Sequence, residues 1–351
     1  MIVFVILGVI AALAWIEWKI IPAAQSHLVY SSKLDMRLVE PGEEITMSSQ
    51  LANSARFPVM YINLSESLFP ESKVNEEESW ISTHLTRGID SLSAKYRLYL
   101  LPDQKFSKQI HFSLPRRGVF NNLKYYLEVG DFLGFRSEVK TYPQKGEIVV
   151  MPRYSDNEKE LETLGGFIGE ISVRRFILED PVLTIGVRDY TGREPLKNIS
   201  WYQSARMGKL QVKKPDYTVD TNVAILLDME SNDKEALEEC LRLVRSACQQ
   251  LEDKHIPYSF LSNGDTGQLT EGMGKIHINS IMERLGRSRL FCVEPFNSYV
   301  EKCLRDNHDN RSYIVITADV TDRNEWGIRQ LQRYSDHEIC ILKGGSHDSR
   351  A

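Results

Sequence analysis

The chain has 351 residues, of which 42% are hydrophobic and 26% are charged. This composition is typical of globular proteins and excludes a disordered, collagen-like or polytopic membrane protein. With 43 Lys and Arg against 48 Asp and Glu, the formal net charge is −5, so the overall positive charge that would hold nucleic-acid phosphates is missing, and nucleic acid is not an expected partner. At about 150 residues per domain, the length indicates two domains.

The chain begins with sixteen uncharged, mostly apolar residues. As a helix this run is about 24 Å long, against a hydrocarbon core of roughly 30 Å. Trp15, Trp18 and Lys19 then match the aromatic and basic residues of a membrane interface. We interpret residues 1–21 as a transmembrane anchor, while a secretory signal with an Ala-Leu-Ala cleavage site and a buried helix stay open as alternatives.

Charge and cysteine usage indicate the side of the membrane on which the rest of the chain lies. Lys19, Lys33 and Arg37 follow the anchor and no Lys or Arg precedes it, which by the positive-inside bias predicts a cytoplasmic location. The odd number of cysteines and the absence of a C-x-x-C pair favour reduced core thiols over disulfides or a zinc site. These cysteines are Cys240, Cys248, Cys292, Cys303 and Cys340.

Residues 32–145 are predicted to form an antiparallel β-sandwich. Apolar and polar residues alternate in several short runs, as at Met60, Ile62 and Leu64, which is the pattern of strands with one buried face. Turn-forming residues such as Pro41-Gly42 separate the runs at the intervals expected of a small sandwich.

The pattern changes after Tyr154, where apolar strand runs alternate with a helical period. The runs 222–228 and 311–317 are almost continuously apolar, as expected of strands covered on both faces of an open α/β sheet. Between them, apolar residues recur every three or four positions and predict one buried helix face. These residues are Leu237, Cys240, Leu241, Val244, Ala247, Cys248 and Leu251.

Two of the predicted strands end in acidic residues. Asp228, Glu230 and Asn232 alternate after the first strand, and Asp319 follows another. Because ligands bind beyond the carboxyl ends of such strands, these oxygens are candidate ligands of Mg²⁺ or Ca²⁺. The alternative is that they are loop carboxylates and helix caps, with Asp233 placed as the cap of the next helix.

The segment 187–214 mixes aromatic and basic residues with glycines. It reads either as a basic-aromatic binding surface or as a structural entry to the sheet. We take the structural interpretation as the hypothesis, with Trp201 buried in the core and Arg206 tying the segment to the sheet.

The same segment resembles the bacterial family known as domain of unknown function 58, whose pattern is R-x-Y-x-x-G followed by I-x-W-x-x-x-A-R-x-G-x-L. The matching residues are Arg188, Tyr190, Gly192, Ile199, Trp201, Ala205, Arg206, Gly208 and Leu210. Upstream, the runs 41–44, 117–120 and 130–135 are similar to the opening and the end of that family's β domain.

The resemblance implies an α+β multidomain fold. Its parts are the N-terminal membrane helix (1–21), the β-sandwich (32–145) and an α/β von Willebrand factor A-like, Rossmann-like domain (150–345). In such domains a D-x-S-x-S pattern forms a metal-ion-dependent adhesion site. Asp228 matches it and Asp319 resembles its closing acid, but Glu230 and Asn232 replace the two hydroxyls, so we expect a degenerate site. Thr266 and Thr270 are candidates for the site's threonine.

The function that the resemblance implies is that of a non-enzymatic, membrane-anchored adaptor or assembly protein, with a MoxR-type AAA+ ATPase as partner. The sequence contains no G-x-x-x-x-G-K-[ST], H-E-x-x-H or G-x-S-x-G motif, which fits a non-enzyme. One alternative is an extracellular adhesion protein. A remote one is a phosphohydrolase with Asp228 as nucleophile, although the D-x-D that such enzymes use is absent.

Overall fold

The computed structural model describes residues 21–74, 84–87, 92–121, 123–130, 136–143, 146–174, 180–192, 194–216, 222–306, 311–334 and 339–345. The predicted anchor, apart from Ile21, and most of the run 130–135 lie outside these ranges. The chain divides into two compact units, Met1–Pro152 and Arg153–Ala351.

The first unit is built from three sheets, in which all strand pairs are antiparallel except one short parallel pair in the smallest sheet. One sheet has the strand order β1-β3-β8-β5, a second has the order β11-β10-β4-β7-β6, and a small third sheet has the order β2-β12-β9. Residues 21–27 are helical (α1). The strands are β1 (Leu28–Leu34), β2 (Leu38–Val39), β3 (Glu44–Asn53), β4 (Val59–Leu68), β5 (Lys73–Val74), β6 (His84–Arg87), β7 (Leu92–Leu100), β8 (Lys105–Ser113), β9 (Gly118–Phe120), β10 (Lys124–Gly130), β11 (Ser137–Pro143) and β12 (Ile148–Val150).

Alternation along the strands builds the core of this unit. In β3 the residues Ile45, Met47 and Leu51 are fully buried, and in β4 Ile62 and Leu64 are buried in the same cluster. Each such side chain contributes roughly 1.5–3 kcal/mol by leaving water. The two larger sheets therefore share one apolar core.

One carboxylate interrupts this apolar core. Glu66 of β4 is fully buried, and its Oε1 accepts a hydrogen bond from the Tyr30 hydroxyl at 2.6 Å. Lys108 of β8 places its Nζ 4.3 Å from the centre of the Tyr96 ring. Burial raises the pKa of Glu66, although its hydrogen bonds and the charge of Lys108 act in the opposite direction. The folded state therefore favours the neutral, protonated form of Glu66.

The second unit contains a five-stranded mixed sheet and a separate two-stranded hairpin. The large sheet has the order β17-β16-β15-β18-β19, and β13 pairs with β14 alone. Its strands are β13 (Asp180–Asp189), β14 (Gln211–Asp216), β15 (Val223–Leu227), β16 (Tyr258–Ser262), β17 (Leu269–Gly272), β18 (Ser312–Thr317) and β19 (Ile339–Lys343). Its helices are α2 (Glu158–Arg174), α3 (Trp201–Met207), α4 (Lys234–Asp253), α5 (Lys275–Arg287), α6 (Phe296–Asp306) and α7 (Asp322–Tyr334).

Helix α4 shows why the sequence pattern predicted a helix here. All seven apolar residues of the predicted stripe are buried. Asp233 is the N-cap, and its carboxylate accepts hydrogen bonds from the backbone N–H groups of Glu235 at 2.9 Å and Ala236 at 3.2 Å. The predicted cap is therefore confirmed, and such a cap contributes about 1 kcal/mol.

The predicted fold class is wrong in its account of the second unit. Strands β16, β15, β18 and β19 are parallel, but β17 runs antiparallel to β16 at the sheet edge, and the β13–β14 hairpin is antiparallel as well. The structure is α+β with a mixed sheet, without a clear von Willebrand factor A-like, Rossmann-like arrangement. Buried apolar strands carry no information on the direction of a neighbour, and β17 (LTEG) is short and largely polar.

The membrane helix predicted for residues 1–21 lies almost entirely outside the described residues. None of the helices within the described ranges is long and apolar enough to cross a membrane. Of the run 1–21, only Ile21 lies within the described ranges, where it belongs to the helical residues 21–27.

Candidate functional site

The parallel strands of the second unit bring their carboxyl ends to one edge of the sheet. Strands β15, β16 and β18 end at Leu227, Ser262 and Thr317. Because neighbouring parallel strands run in register, the residues that follow them meet at this edge. We call this surface, formed by residues 228–233, 263–266, 289–296 and 317–324, the strand-end face.

Asp228 lies at the centre of the strand-end face and is 1% exposed. Its Oδ1 accepts hydrogen bonds from the Glu230 backbone N–H at 2.9 Å and from Asn263 Nδ2 at 3.0 Å. Its Oδ2 accepts from Thr317 Oγ1 at 3.0 Å and from Asn324 Nδ2 at 2.9 Å. Each carboxylate oxygen therefore accepts two hydrogen bonds, and all four donors are neutral groups. These donors occupy the lone-pair directions along which a cation would bind.

The other predicted ligands are directed elsewhere. Glu230 Oε2 accepts the backbone N–H of Phe296, the first residue of α6, at 3.0 Å. Asp319 Oδ1 accepts the Val320 N–H at 2.8 Å and lies 3.4 Å from Lys343 Nζ. Asn232 is exposed. Across the part of the chain that the structure describes, no group of three or more His, Cys, Asp or Glu side chains is arranged to hold a metal ion.

The threonine at this carboxylate is Thr317 rather than either candidate from the sequence. Thr266 is buried, and its hydroxyl has no hydrogen-bond partner among the residues that the structure describes. Thr270 is exposed in β17. The acidic loops are thus a hydrogen-bonded framework around one buried carboxylate.

Asn263 connects this framework to an exposed apolar loop. Its side chain donates to Asp228 through Nδ2, and its Oδ1 accepts the Met229 N–H at 2.8 Å. Its backbone oxygen accepts the Val293 N–H at 2.8 Å. Gly264 is needed beside it, because a Cβ there would lie 2.5 Å from Met229 Cγ. The loop is held against the site by these bonds.

The loop presents two large apolar side chains to solvent. Phe291 is 50% exposed and Val293 is 65% exposed. Ser288 and the Arg289 N–H fix the start of the loop by hydrogen bonds of 2.6 Å to the two carboxylate oxygens of Asp265. Exposed apolar side chains on a fixed backbone are a feature of protein-binding surfaces.

The segment that carries the family motif folds as a hairpin arm, residues 180–192 and 194–216. Ile199 and Val212 are buried and form a β-bridge to each other. Ser204 Oγ accepts the Gln211 N–H at 2.8 Å. Gly208 ends α3 with φ of 66°, a left-handed conformation that favours glycine.

The other motif residues are distributed over the surface of this arm. Arg188 forms a 2.6 Å ion pair with Glu194, whose pKa is lowered to about 2 by the Thr191 hydroxyl and by Arg188. Tyr190 donates its backbone N–H to the Leu210 oxygen at 2.9 Å. Gly192 has φ of 90°, and Ala205 and Arg206 are exposed.

The hypothesis of a buried Trp201 is wrong, since this side chain is 63% exposed at the start of α3. Arg206 makes no ion pair with any residue that the structure describes. Trp201→Ala is therefore expected to change the free energy of unfolding by less than about 0.5 kcal/mol, because a surface side chain leaves no cavity. Urea unfolding measures this; a loss of about 3 kcal/mol would show that the indole is packed in solution.

Comparisons with known proteins leave the family open. No protein-family model and no curated protein matches the chain. Among solved structures, the chain is similar to the major pilin subunit BcpA of Bacillus cereus (9% identity, TM-score 0.25), with 36% of this chain and 41% of the pilin covered. The chain thus spans less than half of that subunit.

Two further solved structures are similar at the same low level. One is a CARDB domain from Pyrococcus furiosus, at 10% identity and a TM-score of 0.20, which covers 35% of this chain and 94% of that domain. The other is the sporulation control protein Spo0M of Bacillus subtilis, at 14% identity and a TM-score of 0.21, which covers 53% of this chain and 74% of that protein. TM-scores of this size carry no functional argument.

Sequence reasoning missed the residues that define the Asp228 environment. Asn263 follows β16 directly, and its position at a strand end was the available signal. Asn324 lies within α7, 96 residues from Asp228, and nothing in the local pattern marked it. Phe291 and Val293 lie between two helices in a stretch with no periodic pattern.

Proposed function

We propose that this chain is a non-enzymatic adaptor that binds a protein partner through the strand-end face. The observation that carries the proposal is the exposed pair Phe291 and Val293, held beside a buried carboxylate whose oxygens are fully engaged. Such an arrangement supports a rigid docking surface, because the loop backbone is already ordered before a partner arrives.

The state of Asp228 supports a binding role over phosphoryl transfer. A nucleophilic carboxylate must reach its substrate with a free oxygen, whereas Asp228 is buried under four donors. Binding of a partner through Phe291 and Val293 does not require any change at this group.

The strand-end face carries exposed charges of both signs. Asp319 and Asp322 are exposed on it, as are Arg289 and Arg323, and Asp319 lies 3.4 Å from Lys343 Nζ. An apolar pocket with a rim of mixed charge would complement the two apolar side chains and these neighbours.

The motif resemblance supports a MoxR-type AAA+ ATPase as the partner. Lys19, Lys33 and Arg37, which follow the apolar run, support a cytoplasmic location as part of this proposal.

Binding of the full chain to a MoxR-type ATPase encoded beside its gene tests the proposal. We expect Phe291→Ala and Val293→Asp each to raise the dissociation constant at least tenfold. The reason is that a central apolar side chain of an interface contributes about 1.4 kcal/mol or more to the free energy of binding. The matched control is Met273→Asp, at a residue that is 51% exposed outside the strand-end face.

Two results would overturn the proposal. The first is binding that survives both loop substitutions while Met273→Asp also leaves it unchanged. The second is the absence of binding to such an ATPase together with a gene neighbourhood of sortase and cell-wall genes, which would favour the adhesion alternative.

A further inference from the structure

The segment 195–214 of the hairpin arm concentrates positive charge on a chain that is negative overall. Residues 195–214 contain five Lys or Arg residues and no Asp or Glu, although the whole chain has a net charge of −5. Within the described ranges, Lys197, Arg206, Lys209 and Lys213 form no ion pair, whereas Arg188 and Glu194 of the same arm neutralise each other. The charges of this segment are therefore available to an anionic surface.

Large apolar side chains are exposed among these cations. Trp201 and Tyr202 begin α3, Met207 ends it, and Leu210 follows the left-handed turn at Gly208. Leu196 lies in the preceding 3₁₀ turn, and all of these side chains are exposed. Interleaved Trp, Tyr, Lys and Arg are the residues that partition into the headgroup region of a bilayer.

The arm holds these groups in place without help from the large sheet. Among the described strands, β13 and β14 pair with each other and with no further strand. The buried residues Ile199 and Val212 form a β-bridge that joins β14 to the chain before α3. Ser200 donates its N–H to the Gln211 oxygen at 2.8 Å, so the start of α3 is tied to β14. The exposed side chains therefore project from a braced turn, which suits insertion into a surface.

We propose that the tip of the arm, residues 196–213, binds the surface of an anionic lipid bilayer. Lys197, Arg206, Lys209 and Lys213 would face lipid phosphates, while Trp201, Met207 and Leu210 enter the interface between headgroups and acyl chains. This proposal is independent of the strand-end face. An acidic protein groove is the competing occupant, and the five large apolar side chains exposed between the cations of one short segment favour the bilayer.

The test measures access to the tip in the full-length protein. Single cysteines are introduced as Met207→Cys in the arm and Met273→Cys as the control, at two methionines that are similarly exposed (61% and 51%). The proteins are placed in nanodiscs of phosphatidylcholine or of an equal mixture of phosphatidylcholine and phosphatidylglycerol. Peptide mass spectrometry measures the rate at which an impermeant maleimide modifies the introduced cysteine and distinguishes it from the native cysteines.

We expect the anionic lipid to slow modification of Met207→Cys at least fivefold and to leave Met273→Cys unchanged. Arg206→Glu with Lys209→Glu should abolish the protection, and so should 0.5 M NaCl, which shortens the Debye length to about 4 Å. Equal rates in the two lipids would overturn the proposal. Protection that rises with protein concentration in neutral lipid would overturn it too, since it would show contact between proteins.

Discussion

Asp228→Ala is expected to destabilise the second unit by about 3–5 kcal/mol. The substitution removes the acceptor of the Asn263 amide and of the Glu230 N–H. The Thr317 hydroxyl and the Asn324 amide lose one acceptor each and keep the Asp319 backbone oxygen. Each unsatisfied buried donor costs roughly 1–3 kcal/mol before relaxation. Peptide-resolved hydrogen exchange in urea measures the effect separately for each unit, and the first unit should unfold as in the unmodified protein.

Asp319→Ala is the matched control, because it removes a predicted ligand whose side chain is largely exposed and bonded only at the surface. It should change the stability by less than about 1 kcal/mol. Mg²⁺ and Ca²⁺ should leave the melting temperature unchanged. A rise with either ion in the unmodified protein that is absent in Asp228→Ala would show that the carboxylate exchanges its four donors for a cation.

Local patterns predicted those parts of the fold that depend on neighbours in sequence. The α4 stripe and its Asp233 cap are set by residues within one helix, and both follow from period and capping rules alone. The partners of Asp228 depend instead on which strands become neighbours. Asn263 and Asn324 reach it from 35 and 96 residues away, and no local period encodes that distance.

The two errors of interpretation also have physical causes. Trp201 was expected in the core because a large aromatic side chain most often stabilises by burial, but the arm buries Ile199 and Val212 and leaves the indole exposed. The antiparallel β17 was missed because a four-residue polar strand is indistinguishable from a turn by composition. Exposure and strand direction are properties of the assembled sheet.

Glu66 is a third feature that sequence patterning could not assign. It occupies an inward position of β4 between the buried Leu64 and Leu68, where alternation predicts an apolar side chain. Tyr30 donates a 2.6 Å hydrogen bond to its Oε1, whereas its Oε2 has no hydrogen-bond partner in the described structure. Ionising Glu66 therefore leaves one charged oxygen unsolvated.

Glu66→Gln is expected to stabilise the first unit by roughly 2 kcal/mol at pH 8 and to have little effect at pH 4. The pKa of Glu66 is raised in the folded state, so the stability linked to its proton is present below the unfolded value of about 4.5 and is lost as the pH rises through the folded pKa. Gln keeps an oxygen for Tyr30 and has no proton to lose. Urea unfolding across this pH range, monitored by hydrogen exchange in peptides of β3 and β4, measures the difference.

Glu128→Gln, at a half-buried site in the same sheet, is the control and should not reproduce the pH-dependent gain in stability. A Glu66→Gln protein that is less stable than the unmodified one at pH 8 would show that the ionised carboxylate is held by Lys108 strongly enough to outweigh its burial.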